Sequence, residues 1–83
     1  MNHASIHSAR LQRVLTVLRQ GKARGEAIST WDIMERGKVM AVSACISELR
    51  ALGARIDCQV RIEGTDKARR YYYTLIKEPP QNG

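Results

Sequence analysis

Apolar residues recur with a helical period in three segments of the chain and with a strand period in two. The first segment predicts an amphipathic helix that begins after Ser8 and stops at Gly21. Its apolar stripe has the spacing i, i+3, i+4, i+7 and consists of Leu11, Val14, Leu15 and Leu18. The next residues, 21–26, include two glycines and two basic residues, and we expect them to form a flexible basic loop.

The next two segments are predicted to be helices separated by a glycine turn. Ser29 is a suitable N-cap for the second helix, because Asp32 stands three residues later, where exposed amides and the helix dipole favour a carboxylate. We expect Trp31 to anchor this helix in the core and Gly37 to end it in the left-handed conformation. The third helix should run from about residue 40 to residue 52. Its apolar stripe consists of Val42, Cys45, Ile46, Leu49 and Leu52.

After Gly53 the apolar period changes to two, which predicts a β-hairpin with strands from about 55 to 62 and from 69 to 76. Gly64 supplies the backbone freedom that the connecting turn needs. We also expect Ile28 to make a short strand contact with this hairpin. The side chains predicted to face inward are those of Ile56, Cys58, Val60, Ile62, Tyr71, Tyr73 and Leu75.

This succession of elements predicts an α+β fold, a winged helix-turn-helix in which three helices are followed by a C-terminal β-hairpin wing. A chain of 83 residues has room for one such domain. We expect the domain to occupy residues 8–77, after a flexible N-terminal lead at 1–7. Residues 78–83 are expected to form a disordered tail, because Pro79 and Pro80 cannot continue the sheet.

Net charge narrows the choice of partner. The chain has 14 Lys and Arg against 8 Asp and Glu, a formal net charge of +6. This balance favours nucleic acid first, an acidic protein surface second and an anionic membrane third. No apolar run has the length that a bilayer needs, so we expect no membrane partner. Cys45 and Cys58 are expected to be buried free thiols, and with no secretory leader pattern we expect a cytoplasmic protein.

Residue types that could support catalysis are present but are not arranged for it. The sequence has no glycine-rich phosphate loop, no paired carboxylates in an apolar setting, no nucleophile with an obvious base and no metal-ligand spacing. His3 and His7 could share a helical face, but they lie near a terminus with no third ligand in view, so we expect solvated histidines. We interpret the chain as a non-catalytic binding protein without a cofactor or metal.

Double-stranded DNA is the ligand that these features favour, because the second helix of a helix-turn-helix lies in the major groove. Here that is the third predicted helix, and we expect Arg36 and Lys38 to contact phosphates ahead of it and Arg50 to contact the DNA backbone near its end. Base edges, phosphates or thymine methyl groups would be contacted by the small residues Ala41, Ser43, Ala44 and Ser47. A second positive region lies around the wing and consists of Arg61, Lys67, Arg69 and Arg70.

Four segments, AISTWDIMERG, CISELRALG, ARIDCQV and RRYYYTLI, resemble small winged helix-turn-helix domains of bacteriophages and prophages. In that group a Thr-rich cap leads into the second helix, Ile-x-x-Leu-Arg-x-x-Gly ends the third, and Tyr-x-Leu closes the wing. The group often has Arg where this chain has Cys45, so no DNA contact is carried over to that position. The resemblance implies a DNA-binding domain that acts in phage gene control, replication or packaging. The matching positions are Ser29, Thr30, Ile46, Leu49, Arg50, Gly53, Ile56, Tyr73 and Leu75.

Three alternatives stay open. The exposed face of the third helix lacks the Arg, Asn and Gln that make bidentate base contacts, and phosphate would repel Glu48, so one alternative is a face that is simply solvated. A second alternative is a winged-helix protein-interaction module that engages a host or phage protein. The third is a homodimer built through the first helix or the N-terminal segment. If DNA is the ligand, phosphate contacts should supply most of the affinity.

Overall fold

The computed structural model describes residues 8–80, which form three helices and a three-stranded antiparallel sheet. The α+β class predicted from the sequence is therefore confirmed, and the order of elements is compatible with a winged-helix-like topology. The lead at 1–7 and residues 81–83 of the expected tail lie outside the described residues. The elements are α1 (Ala9–Arg24), β1 (Ile28–Ser29), α2 (Thr30–Gly37), α3 (Val42–Ala51), β2 (Arg55–Glu63) and β3 (Ala68–Lys77).

Helix α1 is longer than the sequence pattern predicted. It begins after Ser8 as expected but continues through Gly21 to Arg24, and it ends where Gly25 adopts a left-handed φ of 69°. The expected basic loop at 21–26 was therefore wrong. Gly21 serves packing instead, because a Cβ at this position would lie 2.6 Å from side-chain atoms of Ile28. A glycine thus brings β1 close to α1 without interrupting the helix.

Helix α2 begins as predicted and ends one residue later than predicted. The Ser29 hydroxyl accepts a hydrogen bond from the Asp32 backbone N–H at 3.1 Å, which confirms the cap. Gly37 is the last helical residue, and Lys38, not Gly37, takes the left-handed conformation with φ 53°. The expected anchoring role of Trp31 was also wrong, since this side chain is 60% exposed while Ile33 is fully buried.

The sheet has the strand order β1-β3-β2. Strand β1 pairs with β3 through Ile28 opposite Tyr73 and Ser29 opposite Tyr72, which confirms the predicted strand contact. Strand β2 pairs with β3 along its whole length, and the turn between them contains left-handed residues at Gly64 and Lys67. Within residues 8–80 the outer edge of β2 pairs with no other strand.

One apolar core lies between the helices and the base of the hairpin. The stripes predicted for α1 and α3 are buried as expected, except that Leu52 is only half-buried. Burial of this apolar surface is the main contribution that stabilises so small a domain. The fully buried side chains are Leu11, Val14, Leu15, Leu18, Ile33, Cys45, Ile46, Leu49 and Leu75.

The hairpin extends beyond the helices that cover its base. A strand of nine residues is about 30 Å long, whereas a helix of ten residues such as α3 is only about 15 Å long. The prediction that the whole inward face is buried was therefore wrong for Cys58, Val60, Ile62 and Tyr71, which are exposed. The inward residues that are buried as predicted are Ile56, Tyr73 and Leu75.

Residues that follow β3 lie against the domain as far as they are described. The Glu78 carboxylate accepts two hydrogen bonds from the Arg19 guanidinium, at 2.6 and 2.9 Å. Pro79 is buried, and Pro80 packs so closely on Gly53 that a Cβ at Gly53 would lie 2.8 Å from Pro80 Cδ. This segment therefore joins the middle of α1 to the connection between α3 and β2.

Candidate nucleic-acid interface

The exposed face of α3 is small and uncharged. Ala44 and Ser47 are exposed on the helix, and Ala41 is exposed at its N-cap. Within residues 8–80 no side chain caps the N-terminus of α3, so the first amides of this helix are not occupied by a cap. The face predicted to approach DNA thus carries small side chains at these three positions, while Met40, just before Ala41, is a large exposed side chain.

The acidic residue of α3, Glu48, is paired with a residue of α1. The Arg10 guanidinium lies 2.5 Å from the Glu48 carboxylate, and a second nitrogen of the same guanidinium lies 3.0 Å from the Cys45 sulfur. The hydrogen bonds to Glu48 first, and to Cys45 second, raise the pKa of Arg10. Arg10 therefore compensates the negative charge on α3.

Ser43 lies on α3 but is engaged with the hairpin. Its hydroxyl lies near the Tyr73 hydroxyl, which also lies beside the side chains of Thr30 and Cys58. Burial is the largest cause that raises the pKa of Tyr73, and Cys58 also raises it, while the neighbouring polar side chains of Thr30 and Ser43 lower it. The structure thus places Ser43 at a polar junction between α2, α3 and the sheet.

The connection between α2 and α3 is braced from α1. The Arg13 guanidinium donates to the Gly37 carbonyl oxygen at 2.9 Å and to the Lys38 carbonyl oxygen at 3.4 Å. These bonds hold the left-handed turn and leave the Lys38 side chain exposed. The sequence does not indicate this role of Arg13, because a helical period does not reveal which distant carbonyl groups a guanidinium reaches.

Two of the predicted DNA contacts are already engaged with the protein itself. Arg36 donates to the Gln20 side chain and so lies against α1. Arg50 donates twice to the Ile56 carbonyl oxygen, at 2.6 and 3.2 Å, and so joins the end of α3 to the start of β2. A carbonyl oxygen does not neutralise a guanidinium, so Arg50 keeps its positive charge in this position.

The outer face of the hairpin carries a compact charged cluster. Arg61 and Arg70 are direct cross-strand partners, and the Arg61 guanidinium lies 4.1 Å from the centroid of the Tyr72 ring, within cation–π range. Glu63 lies 3.4 Å from Arg70 and accepts a hydrogen bond of 2.8 Å from the Tyr72 hydroxyl. That hydrogen bond is the largest cause that raises the pKa of Tyr72. Glu63 therefore offsets the charge of Arg70, whereas Arg61 lies over the Tyr72 ring without a carboxylate partner within residues 8–80.

The remaining wing cations lie elsewhere on the hairpin. Arg69 is the cross-strand partner of Ile62, so it lies on the opposite face from Arg70. Lys67 lies in the turn with a left-handed φ of 54°. Within residues 8–80, the side chains of Arg69 and Lys67 have no hydrogen bond or ion pair, although the Lys67 backbone N–H donates to the Gly64 carbonyl oxygen at 3.2 Å. The structure therefore divides the four predicted wing cations between two faces and the turn.

An open cleft separates the first turn of α2 from the distal half of β3. Its volume is about 650 Å³, and its lining includes Trp31, Met34, Arg69 and Tyr71. Trp31 and Tyr71 are 60% and 43% exposed, so aromatic surface is accessible there. The sequence pattern predicted both aromatic side chains in the core and so did not indicate this cleft.

No protein family, no curated protein and no solved structure matches this chain. In the described part of the chain, no three His, Cys, Asp or Glu side chains group together as a metal site would require, while His3 and His7 lie outside that part. None of the helices between residues 8 and 80 combines the length and the apolar character needed to cross a membrane.

Proposed function

We propose that this protein binds double-stranded DNA as a small winged helix-turn-helix protein of the phage or prophage type. In this interpretation α2 and α3 are the helix-turn-helix, α3 enters the major groove, and the β2–β3 hairpin is the wing. A role as regulator or accessory factor fits a domain of this size. The order of elements from α1 to β3 supports the proposal, together with the positive net charge.

The proposal rests mainly on which charged side chains around α3 are paired and which are unpaired. Its acidic residue, Glu48, is compensated by Arg10, so the repulsion of phosphate expected from the sequence is reduced. Lys38, just before α3, has no hydrogen bond or ion pair through its side chain within residues 8–80, and neither do Lys67 and Arg69 of the wing. Such cations can bind phosphate without first breaking an internal contact.

The same surface favours affinity over sequence specificity. Ala44 and Ser47 permit close approach but offer little of the bidentate hydrogen bonding that distinguishes one base pair from another. Arg50 is held by the Ile56 carbonyl oxygen at the far end of α3, where it suits a backbone contact. We therefore propose that binding is dominated by phosphate contacts and depends strongly on salt.

Fluorescence anisotropy with a labelled random-sequence duplex tests this function. We expect binding at low salt and a linear fall of the logarithm of the association constant with the logarithm of salt concentration, with a slope of about −3 to −5 for a few phosphate contacts. A competitor of different sequence should displace the labelled duplex about equally well. If duplexes of any sequence fail to bind at micromolar protein and low salt, the proposal is wrong.

A second candidate function is a protein-interaction module, and the cleft beside Trp31 favours it. Trp31, Met34 and Tyr71 present apolar surface that monomeric domains usually bury. Trp31 is the only tryptophan of the chain, so its fluorescence reports directly on occupancy of this cleft. If duplex DNA leaves both anisotropy and this fluorescence unchanged, the protein-interaction function becomes the better proposal.

A further inference from the structure

Strand β2 is an edge strand of the sheet. It spans Arg55–Glu63, pairs with β3 on one side, and has no strand on its other side within residues 8–80. An exposed edge offers a row of backbone N–H and C=O groups to another strand, and natural proteins usually protect such edges or pair them. The edge is nine residues long, and near its start the Ile56 carbonyl oxygen already accepts two hydrogen bonds from Arg50.

The side chains on the outer face of this strand are self-complementary in charge. Along β2 the outer residues alternate in sign about an uncharged centre, in the order Arg55, Asp57, Gln59, Arg61 and Glu63. If two copies of β2 pair antiparallel about a two-fold axis at Gln59, each Arg55 faces Glu63 of the other copy. Each Asp57 likewise faces Arg61 of the other copy. Every charged pair across that axis is then of opposite sign.

Neighbouring registers lack this property. A shift of the axis to residue 58 places Arg55 opposite Arg61, and a shift to residue 60 places Asp57 opposite Glu63. Like charges directly opposite each other destabilise a pair of strands. The charge pattern therefore selects the register centred on Gln59 over both alternatives.

The same pairing would also bury apolar side chains on the inner face of β2. Ile62 and Val60 are 66% and 53% exposed, because the hairpin extends beyond the helices. In the register centred on Gln59, Ile62 lies opposite Ile56 of the second copy and Val60 lies opposite Cys58. Apolar side chains that water now surrounds would thus be covered in part by apolar neighbours.

Of the four charged side chains on the outer face of β2, two have no internal partner in the described part of the chain and can pair with a second copy. Arg55 and Asp57 have no hydrogen bond or ion pair through their side chains within residues 8–80. Arg61 lies over the Tyr72 ring and Glu63 binds Tyr72 and Arg70, but both lie on the outer face, where a cross-strand partner can reach them. We propose that a second copy of this chain is the partner of β2, so that two three-stranded sheets join into one continuous antiparallel sheet of six strands.

Sedimentation velocity over a concentration series, without DNA, tests this dimer. We expect the wild-type protein to associate reversibly. Asp57→Arg places two arginines opposite each other, and Arg61→Asp places two aspartates opposite each other, twice per dimer in each case. Either substitution should raise the dimer dissociation constant roughly tenfold or more. Arg24→Asp, on the last turn of α1, changes the charge by the same amount as Arg61→Asp; it is the control and should leave association unchanged.

An equimolar mixture of the two variants gives the decisive measurement. In a mixed dimer the new arginine of one chain faces the new aspartate of the other, and the unchanged Arg61 faces the unchanged Asp57. The mixture should therefore associate to within about threefold of the wild type. That recovery would also show that both variants are folded.

Three results would overturn the proposal: a wild-type protein that stays monomeric at high concentration, association that neither substitution weakens, or a mixture that does not recover. If either variant does not fold, Arg55→Glu and Glu63→Arg provide the same complementary test at the other charged pair. Because DNA is absent from these measurements, their outcome is independent of the proposed DNA binding.

Discussion

Arg10 on α1 and Glu48 on α3 form an ion pair with a nitrogen–oxygen distance of 2.5 Å. The two side chains are separated by 38 positions in the sequence, yet the pair determines whether α3 presents a free negative charge. Side-chain exposures of 40% and 33% place the pair at the surface, where water and salt screen it. Its importance therefore lies more in the local charge than in stability.

We expect Glu48→Gln to lower the free energy of unfolding by less than about 1 kcal/mol, because exposed ion pairs contribute little. Urea unfolding at low and high salt measures this, and the difference from the wild type should shrink as salt is added. Glu35→Gln, an exposed change on α2, is the matched control. A loss of several kcal/mol would mean that the pair holds α1 and α3 together.

The cap of α2 should be worth more than that ion pair. We expect Ser29→Ala to lower the free energy of unfolding by about 1 kcal/mol, because the Asp32 amide loses its hydrogen-bond acceptor. Ser47→Ala on the exposed face of α3 is the control and should be nearly neutral. Thermal unfolding of both variants compares the two serines directly, and equal effects would contradict the cap.

Two neighbouring residues of α2 should differ sharply in their contribution to stability. Ile33→Ala removes a fully buried side chain and should cost about 2–5 kcal/mol. Trp31→Ala removes a larger side chain that is 60% exposed, and we expect a cost below about 1 kcal/mol. Denaturant unfolding followed by circular dichroism measures both. A costly Trp31→Ala would restore the anchoring role that the sequence suggested.

The sequence predicted the helices well because apolar spacing and capping depend on residues that are close together in the chain. The stripes from Leu11 to Leu18 and from Val42 to Leu49 follow from the helical period, and the Ser29 cap depends on residues only three positions apart. A period of two identified the inward face of the hairpin as well. It could not show how far helices cover that face, so it failed for Val60 and Ile62.

The candidate site was less accessible to sequence reasoning because its contacts are non-local. Arg36 reaches Gln20, and Arg50 reaches the Ile56 carbonyl oxygen. No pattern within α2 or α3 specifies these partners. The alternating charges of β2, in contrast, can be seen in the sequence itself. The sequence does not show that β2 is an edge strand, and without that fact the pattern does not indicate a dimer.

The contact between Arg19 and Glu78 predicts a specific dependence of stability on pH. Hydrogen bonding to Arg19 lowers the pKa of Glu78 below its ordinary value of 4.5. A carboxyl group whose pKa is lower in the folded state stabilises that state above the unfolded pKa, and this contribution disappears as the pH falls through the folded pKa. The free-energy difference between wild type and Glu78→Gln should thus be largest above about pH 5 and vanish in stronger acid.

Urea unfolding of both proteins from neutral to acidic pH measures that difference. Because other carboxyl groups also titrate, the comparison uses the difference between the two proteins and not either curve alone. Glu26→Gln, at an exposed position after α1, is the matched substitution against which the Glu78→Gln difference is compared. A Glu78→Gln difference that is constant down to strong acid would contradict the contact with Arg19.

Phosphate binding by unpaired cations gives the sharpest prediction for the proposed function. We expect Lys38→Ala and Arg69→Ala each to weaken duplex binding by a similar factor for every sequence tested. Each should also reduce the salt dependence by about one unit of slope, because one phosphate contact is lost. Lys77→Ala is the control, since Lys77 lies opposite Arg55 at the base of the hairpin, away from the turn of the wing. If Lys38→Ala weakens binding to one sequence only, or if Lys77→Ala weakens binding as much as Arg69→Ala, then DNA does not follow the path from the α2–α3 turn to the wing.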